Sequence, residues 1–137
     1  MLETFDRFIQ NYNERNLDAT LSMFRDSPPA VAFGTGADEK RRGRTEIKEQ
    51  LIRDWSQSDS DRLAVLHIDY EQNGDSGWLA VALKVSVNAD QEIENLVARG
   101  TFVMERRHGD DWKIAHMHVS LPSSEQAAGK SFPNKST

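Results

Sequence analysis

Trp78-Leu79-Ala80-Val81-Ala82-Leu83-Lys84-Val85-Ser86-Val87 alternates as a β-strand must. Successive side chains point to opposite faces, so Leu79, Val81, Leu83, Val85 and Val87 form one unbroken apolar row. Trp78, Ala80, Ala82, Lys84 and Ser86 form the other. Alanines leave room for a closely packed helix or a cavity, and Lys84 in that row needs a partner or water for its charge. Around this strand, segments near 63–71, 93–105 and 112–121 are also rich in Val, Ile, Leu and aromatic residues. Asn73-Gly74-Asp75-Ser76-Gly77 and Arg107-His108-Gly109-Asp110 have hairpin-loop composition, and Asn88-Ala89-Asp90 is a weaker turn signal. The second half therefore predicts an antiparallel meander.

The first half has the other period. Leu2, Phe5, Ile9 and Tyr12 recur at three- and four-residue steps with Phe8 widening the stripe, which predicts an amphipathic helix. Asn16 is placed to cap a second helix carrying Leu17, Leu21 and Phe24, stopped by Pro28-Pro29. Ala30 to Phe33 suits a short buried strand leading into Gly34-Thr35-Gly36. Thr45 is placed to cap a third helix with Glu46 in its first turn and Ile47, Leu51 and Trp55 on its buried face. Helices first and a meander after is the order of an α+β fold. One domain is expected over residues 1–121. Residues 122–137 have only Phe132 as a large apolar group and read as a flexible C-terminal tail.

With 17 Lys and Arg against 22 Asp and Glu, the net charge is −5, which argues against nucleic acid or anionic lipid as a partner. The chain has no cysteine, so disulfides and thiolate chemistry are excluded. The N-terminal residues lack a basic flank followed by an apolar run, and no apolar stretch reaches the ~20 residues needed to span a bilayer. A cytoplasmic location is the expectation by elimination.

In the last strand, strict alternation puts Trp112, Ile114, His116, His118 and Ser120 on one face and Lys113, Ala115, Met117, Val119 and Leu121 on the other. Both faces then carry apolar residues, which predicts a strand covered twice, by helices on one side and a partner subunit on the other. A homodimer through the sheet is the expected assembly.

The stretch Phe33-Gly34-Thr35-Gly36-Ala37-Asp38-Glu39, followed by Arg42-Gly43-Arg44 and a helix, resembles SnoaL-like proteins of the nuclear transport factor 2-like superfamily. So does the ending from Arg99 to Arg107 and then Trp112 to Ser120, which is also similar to the association (hub) domain of calcium/calmodulin-dependent kinase II. The resemblance spans about residues 3–121. It implies a cone-shaped, cystatin-like fold, with N-terminal helices packed on a curved antiparallel sheet and a pocket at the open end. Functions on this fold include isomerases, cyclases, dehydratases and non-enzymatic hubs, so the fold fixes little about activity. Ketosteroid isomerases of this fold use a tyrosine that falls at Phe8 here and an aspartate that falls near Phe33 or Gly34. Steroid isomerase chemistry in that form is not expected. The hub domain's pocket arginines fall near Lys84 and Phe102, which makes both candidate ligand contacts. The resemblance also places Thr35 and Asp38 near the pocket mouth.

His116 and His118, two apart on a strand, share a face with backbones roughly 6.5–7 Å apart. Imidazoles titrate near neutral pH, so either could act as a catalytic base, with Asp38 or Glu39 as acid. Equally, both could be hydrogen-bonded histidines tying the sheet to its loops. The pair with Asp38 or Glu39 could also bind zinc or iron, but the spacing does not require it, and no metal or cofactor is expected. Gly34-Thr35-Gly36 is not a phosphate loop, because it lacks the Gly-Lys-Ser/Thr ending. Lys40-Arg41-Arg42 and Arg44 read as a solvated, salt-bridged edge. Tyr12 and Trp55 read as core or pocket wall, and Ser120 beside His118 has no nucleophile elbow around it. Three functions stay open. The first is a pocket for a polar or carboxylate-bearing small molecule, lined by Tyr12, Trp55, Lys84, His116 and His118. The others are an isomerase or lyase based on the histidines, and a hub-like oligomerisation module.

Overall fold

The computed structural model describes residues 1–134 apart from His108 and Asp110. Those two members of the predicted Arg107–Asp110 loop, and residues 135–137 of the predicted tail, lie outside the described residues. Two helices, α1 (Leu2–Asn13) and α2 (Leu17–Ser22), are followed by two short strands, β1 (Val31–Phe33) and β2 (Lys40–Arg42), and a third helix, α3 (Gly43–Ser56). Four strands follow: β3 (Ser60–Asn73), β4 (Ser76–Ala89), β5 (Glu92–Glu105) and β6 (Lys113–Ser120). They form one curved sheet in the order β2-β1-β6-β5-β4-β3, antiparallel except for the parallel pair β1 and β6.

The meander folds where the turn chemistry places it. Asp90 and Gln91 between β4 and β5 both have positive φ, 52° and 67°. Two such residues in succession make a hairpin turn whose twist matches the strands. Asn16 caps α2 by accepting a hydrogen bond from the Ala19 amide at 3.1 Å. α2 ends at Ser22, well before Pro28-Pro29, because Phe24 already bridges to Ile114. α3 begins two residues ahead of Thr45. Its first turn is closed by Glu46, whose carboxylate accepts from the Arg42 amide at 3.4 Å. Gly43, at φ +80°, makes the corner between β2 and α3. The basic run Lys40-Arg41-Arg42 is itself β2, the edge strand of the sheet.

The core lies between α1, α3 and the inner face of the sheet. Phe5, Phe8 and Ile9 from α1 and Ile47 and Leu51 from α3 pack on Leu79, Leu83, Phe102 and Met104. Phe5 meets Phe102 edge-on at 5.0 Å between ring centres, and Phe8 meets Phe24 in the same way at 5.7 Å. Phe102 is therefore a core residue, only 1% exposed, whose ring also forms part of a cavity wall.

Registers identify the inner face. Leu79 pairs with Phe102 and Phe102 with Met117; Val81 pairs with Gly100 and Gly100 with Val119. Paired residues share a face. The rows that interleave with these lie outside: Trp78–Val103–His116, Ala80–Thr101–His118 and Lys84–Val97. The expected alternation in β6 is corrected by a bulge. Met104 pairs with Ile114 but Val103 pairs with His116, so Ala115 is the extra residue. Ile114 thus falls on the inner face with Met117 and Val119, while His116, His118 and Ser120 face out. The doubly apolar look of this strand comes from the bulge.

Residues 123–134 form turns whose hydrogen bonds stay local, such as Lys130 to Ala127 and Asn134 to Glu125. Among the described residues, no helix is long and apolar enough to cross a membrane.

Candidate functional site

Between the helices and the inner face of the sheet lies a cavity of about 380 Å³. Its body is apolar, with Phe8, Leu51, Leu83, Val85, Ala98 and Met117 in the wall. Its polar lining is concentrated in Tyr12, Glu39, Arg41, Gln50, Asp54 and Asp61.

Helical periodicity explains Asp54. Ile47, Gln50, Leu51 and Asp54 stand at i, i+3, i+4 and i+7, so a carboxylate occupies the apolar stripe of α3 and projects the way Ile47 does. Strand alternation explains Asp61, which shares the inner face of β3 with Leu63 and is 6% exposed. Neither stood out in the sequence as a site residue, although each lies in line with a leucine of the core or packed against it, Leu51 and Leu63.

The two carboxylates meet at one phenol. Tyr12 Oη lies 2.7 Å from Asp61 Oδ2 and 3.0 Å from Asp54 Oδ2. A phenol has one hydrogen and cannot donate to both. Asp61 has the better claim, since Arg15 Nη2 also donates to its Oδ1 at 3.1 Å. Arg15 is held in place by the end of α3, donating to the Trp55 carbonyl at 2.7 Å and the Ser58 hydroxyl at 2.9 Å. Asp54 accepts from Gln50 Nε2 at 2.7 Å. Burial raises the Asp54 pKa above the ordinary carboxylate value, and the negative charges of Glu39 and Asp61 add to this against the hydrogen bonds from Gln50 and Tyr12. The same burial favours the protonated form of Asp54, the one form of that carboxyl able to donate to Tyr12 Oη. The phenol's own pKa is pushed up by burial and then by both carboxylates, so Tyr12 stays neutral.

Glu39 marks the mouth. Its carboxylate accepts from the Gly36 amide, from Gln50 at 2.9 Å and from Arg53 at 3.0 Å. Burial works against its ionisation, but those three donors outweigh it and hold its pKa below the usual value. A Cβ at Gly34 would stand 2.6 Å from Glu39 Oε2, so any side chain there must displace that carboxylate.

The expected site residues separate into three groups. Tyr12, Thr35 and Phe102 line the cavity. Trp55 lies behind it, packed on Tyr12 with ring centres 5.5 Å apart. Asp38 sits on the outside of the mouth, paired with Arg53 at 2.8 Å, which keeps its pKa low. The expectation that Lys84, His116 and His118 line the pocket is corrected: all three are on the outer face of the sheet. Lys84 is exposed beside Val97. His116 Nδ1 donates to the Val31 carbonyl at 2.7 Å, and Phe33 stands edge-on to both imidazoles. The histidines therefore tie β6 to β1. Their union with Asp38 or Glu39 at a metal does not occur; the described residues contain no group of three such side chains able to hold an ion.

A helix-backed curved sheet enclosing an apolar cavity with polar groups at one end defines the nuclear transport factor 2-like architecture. The family model described as a SnoaL-like domain matches residues 1–124, and the chain belongs to that family. A nuclear transport factor 2-like superfamily protein from Salmonella enterica serovar Typhimurium is similar at a TM-score of 0.80 and 15% identity, over 95% of this chain and 93% of that one. An NTF2-like protein with a cystatin-like fold from Novosphingobium aromaticivorans has a TM-score of 0.72 at 12% identity, over 89% and 79%. A calcium/calmodulin-dependent protein kinase II association-domain-like protein from Xanthomonas campestris has a TM-score of 0.74 at 21% identity, over 85% and 81%. At these identities the likeness carries the fold alone. No curated protein sequence matches the chain.

Proposed function

We propose that this SnoaL-like domain binds a small molecule with an apolar body and a polar group that hydrogen-bonds at the Tyr12–Asp54–Asp61 end of the cavity. The observation that carries this reading is an apolar chamber of about 380 Å³ whose polar lining converges from separate elements. That is the usual build of a small-ligand site. A carboxylate on the ligand was the natural guess with Lys84 and two imidazoles facing inward; with those on the outer face its basis is gone. The test is a thermal-shift screen of apolar molecules with varied polar groups, run in parallel on Val85→Trp, which fills the chamber. A ligand at 100 times its Kd adds about 2.7 kcal/mol, a shift of several degrees. Hits that vanish in Val85→Trp support the reading, and hits that persist in it overturn it.

The shared phenol hydrogen favours a second reading, proton transfer to and from a bound ligand with Asp54 rather than His116 or His118 as the acid–base group. Turnover that falls in Asp54→Asn and survives in His118→Ala would select it.

We also propose that the outer sheet face mediates self-association. Trp78, Val97 and Val103 lie on it and are 41%, 55% and 36% exposed. Trp78 and Val103 are cross-strand partners there, and exposed apolar pairs of this kind can form part of an interface.

A further inference from the structure

We propose that the polar end of the cavity receives a protonated amine carried on an apolar body, and that the ammonium replaces the proton shared among Asp54, Tyr12 and Asp61. This names the ligand class for the binding function proposed above and rests on that reading.

Charge bookkeeping of the lining gives the first support. Glu39, Asp54 and Asp61 line the cavity against a single guanidinium, Arg41. Arg41 is turned toward Gln50 and Glu49, donating to the Gln50 amide oxygen at 3.1 Å. Asp61 and Glu39 already have guanidinium partners in Arg15 and Arg53, so among the described residues Asp54 is the lining carboxylate without an ion pair. A carboxylate without an ion pair in a recess with low-dielectric walls focuses a negative potential and selects a cation.

Aromatic rings give the second. Phe8, Phe24, Tyr12 and Phe102 all contribute to the wall. Such faces attract a cation and accommodate the apolar body to which an amine is attached.

The third is the hydrogen that the cluster lacks. Two carboxylates converge on one phenol oxygen at 2.7 and 3.0 Å, and the protein supplies one hydrogen for both. An ammonium brings three donors and no acceptor, along with a positive charge. It can satisfy both carboxylates at once when both are ionised. Binding is then an exchange: the amine arrives protonated, Asp54 gives up its proton to solvent, and one positive charge replaces another. The groups that bear on Asp54 in this exchange come from every element around it: Tyr12 and Arg15 at the end of α1, Asp61 on β3, Glu39 before β2, and Gln50 and Arg53 on α3.

Three probes with one apolar body separate the outcomes: 4-phenylbutylamine, 4-phenylbutan-1-ol and 4-phenylbutanoate. Titration calorimetry of the full chain, from pH 4.5 to 7 in buffers of different ionisation enthalpy, measures affinity and proton release together. The amine should bind at least tenfold tighter than the alcohol, and the carboxylate more weakly still. Amine affinity should climb with pH while Asp54 titrates, with up to one proton released at the low end and none once Asp54 is already ionised. Asp54→Asn should lose the tenfold preference and the proton release while still binding the alcohol, which shows that the chamber remains folded. Equal or stronger binding of the alcohol or carboxylate overturns the amine assignment and leaves the ligand-binding reading standing. A preference for amine that is unchanged in Asp54→Asn overturns the exchange. Absence of binding by all three probes overturns both readings together.

Discussion

Replacing Asp54 by Asn should stabilise the protein at neutral pH. The substitution keeps the shape of the side chain. Its amide oxygen can still accept from Gln50, now 2.7 Å from Asp54 Oδ1, and its amide nitrogen can donate to Tyr12 Oη at the 3.0 Å contact. Tyr12 keeps its hydrogen on Asp61. Asn thus supplies permanently the donor that Asp54 supplies only when protonated. Both carboxylates lie within 3.0 Å of the same phenol oxygen, so their near oxygens are less than about 6 Å apart, and two full charges there repel by roughly 3 kcal/mol at an effective dielectric near 20. At pH 7 an ionised Asp54 bears that repulsion, offset in part by the hydrogen bonds from Gln50 and Tyr12, and the mutation removes it, a gain of about 1–2 kcal/mol. For a chain of this size that is a rise of roughly 3–8 °C in Tm. The sign follows from linkage. A carboxyl whose pKa is raised by folding favours the folded state fully below its unfolded pKa, near ~3.9, and loses that advantage as pH rises through the folded value. The gap between mutant and wild type should therefore close at acid pH and widen toward neutrality. Urea unfolding at intervals from pH 4 to 8 measures it. A mutant no more stable than wild type at pH 7, or a gap independent of pH, refutes the raised pKa of Asp54.

Other substitutions probe the remaining assignments. Tyr12→Phe leaves Asp54 and Asp61 facing each other without the phenol and should cost about 1–3 kcal/mol in chemical unfolding. Gly34→Ala drives Glu39 from beneath the mouth loop, so the Glu39 carboxyl, followed by NMR titration, should move up toward its ordinary pKa and the fold should lose about 1 kcal/mol. Lys84→Ala and His118→Ala, both on the outer face, should leave ligand affinity in the cavity within twofold of wild type by calorimetry. Charges placed by Val97→Lys with Val103→Lys should shift the species seen in sedimentation velocity toward monomer while the melting curve of the cavity ligand complex keeps its ligand-dependent shift.

The parts of the fold that the sequence announces are those with one strong period and unambiguous punctuation. α1 shows its stripe of Phe5, Ile9 and Tyr12, and the turns at Asn73–Gly77 and Asn88–Asp90 separate strands of even length. β2 is only three residues long, and its Lys, Arg and Arg carry no strand signature; it exists because β1 offers a free edge beside it. Its pairing is a tertiary event that a local window does not contain. The polar end of the cavity was half legible. Tyr12 was visible because it stands in a helical stripe, whereas Asp54 and Asp61 looked like ordinary surface carboxylates until α3 and β3 fixed the faces on which they lie.

One residue, Ala115, decides on which face of the sheet the histidines lie. Without a bulge, His116 and His118 lie on the same face as Ile114 and Trp112, two core residues, and an inward-facing imidazole pair is the natural reading. With Ala115 inserted opposite the Val103–Met104 step, the parity of the strand reverses between Ile114 and His116. The histidines move to the outer face and Met117 and Val119 turn into the cavity. The same reversal takes the imidazoles away from the cavity and leaves the carboxylates lining it, which is why the proposed ligand is a cation and not an anion. Deleting Ala115 tests this directly. If the bulge sets the faces, the shortened strand must either expose Ile114 or bury both imidazoles, and in either case the fold should lose several kcal/mol. A deletion variant that unfolds at the wild-type urea midpoint would show that β6 absorbs the change by slipping register, and the face assignment of His116 and His118 would have to be withdrawn.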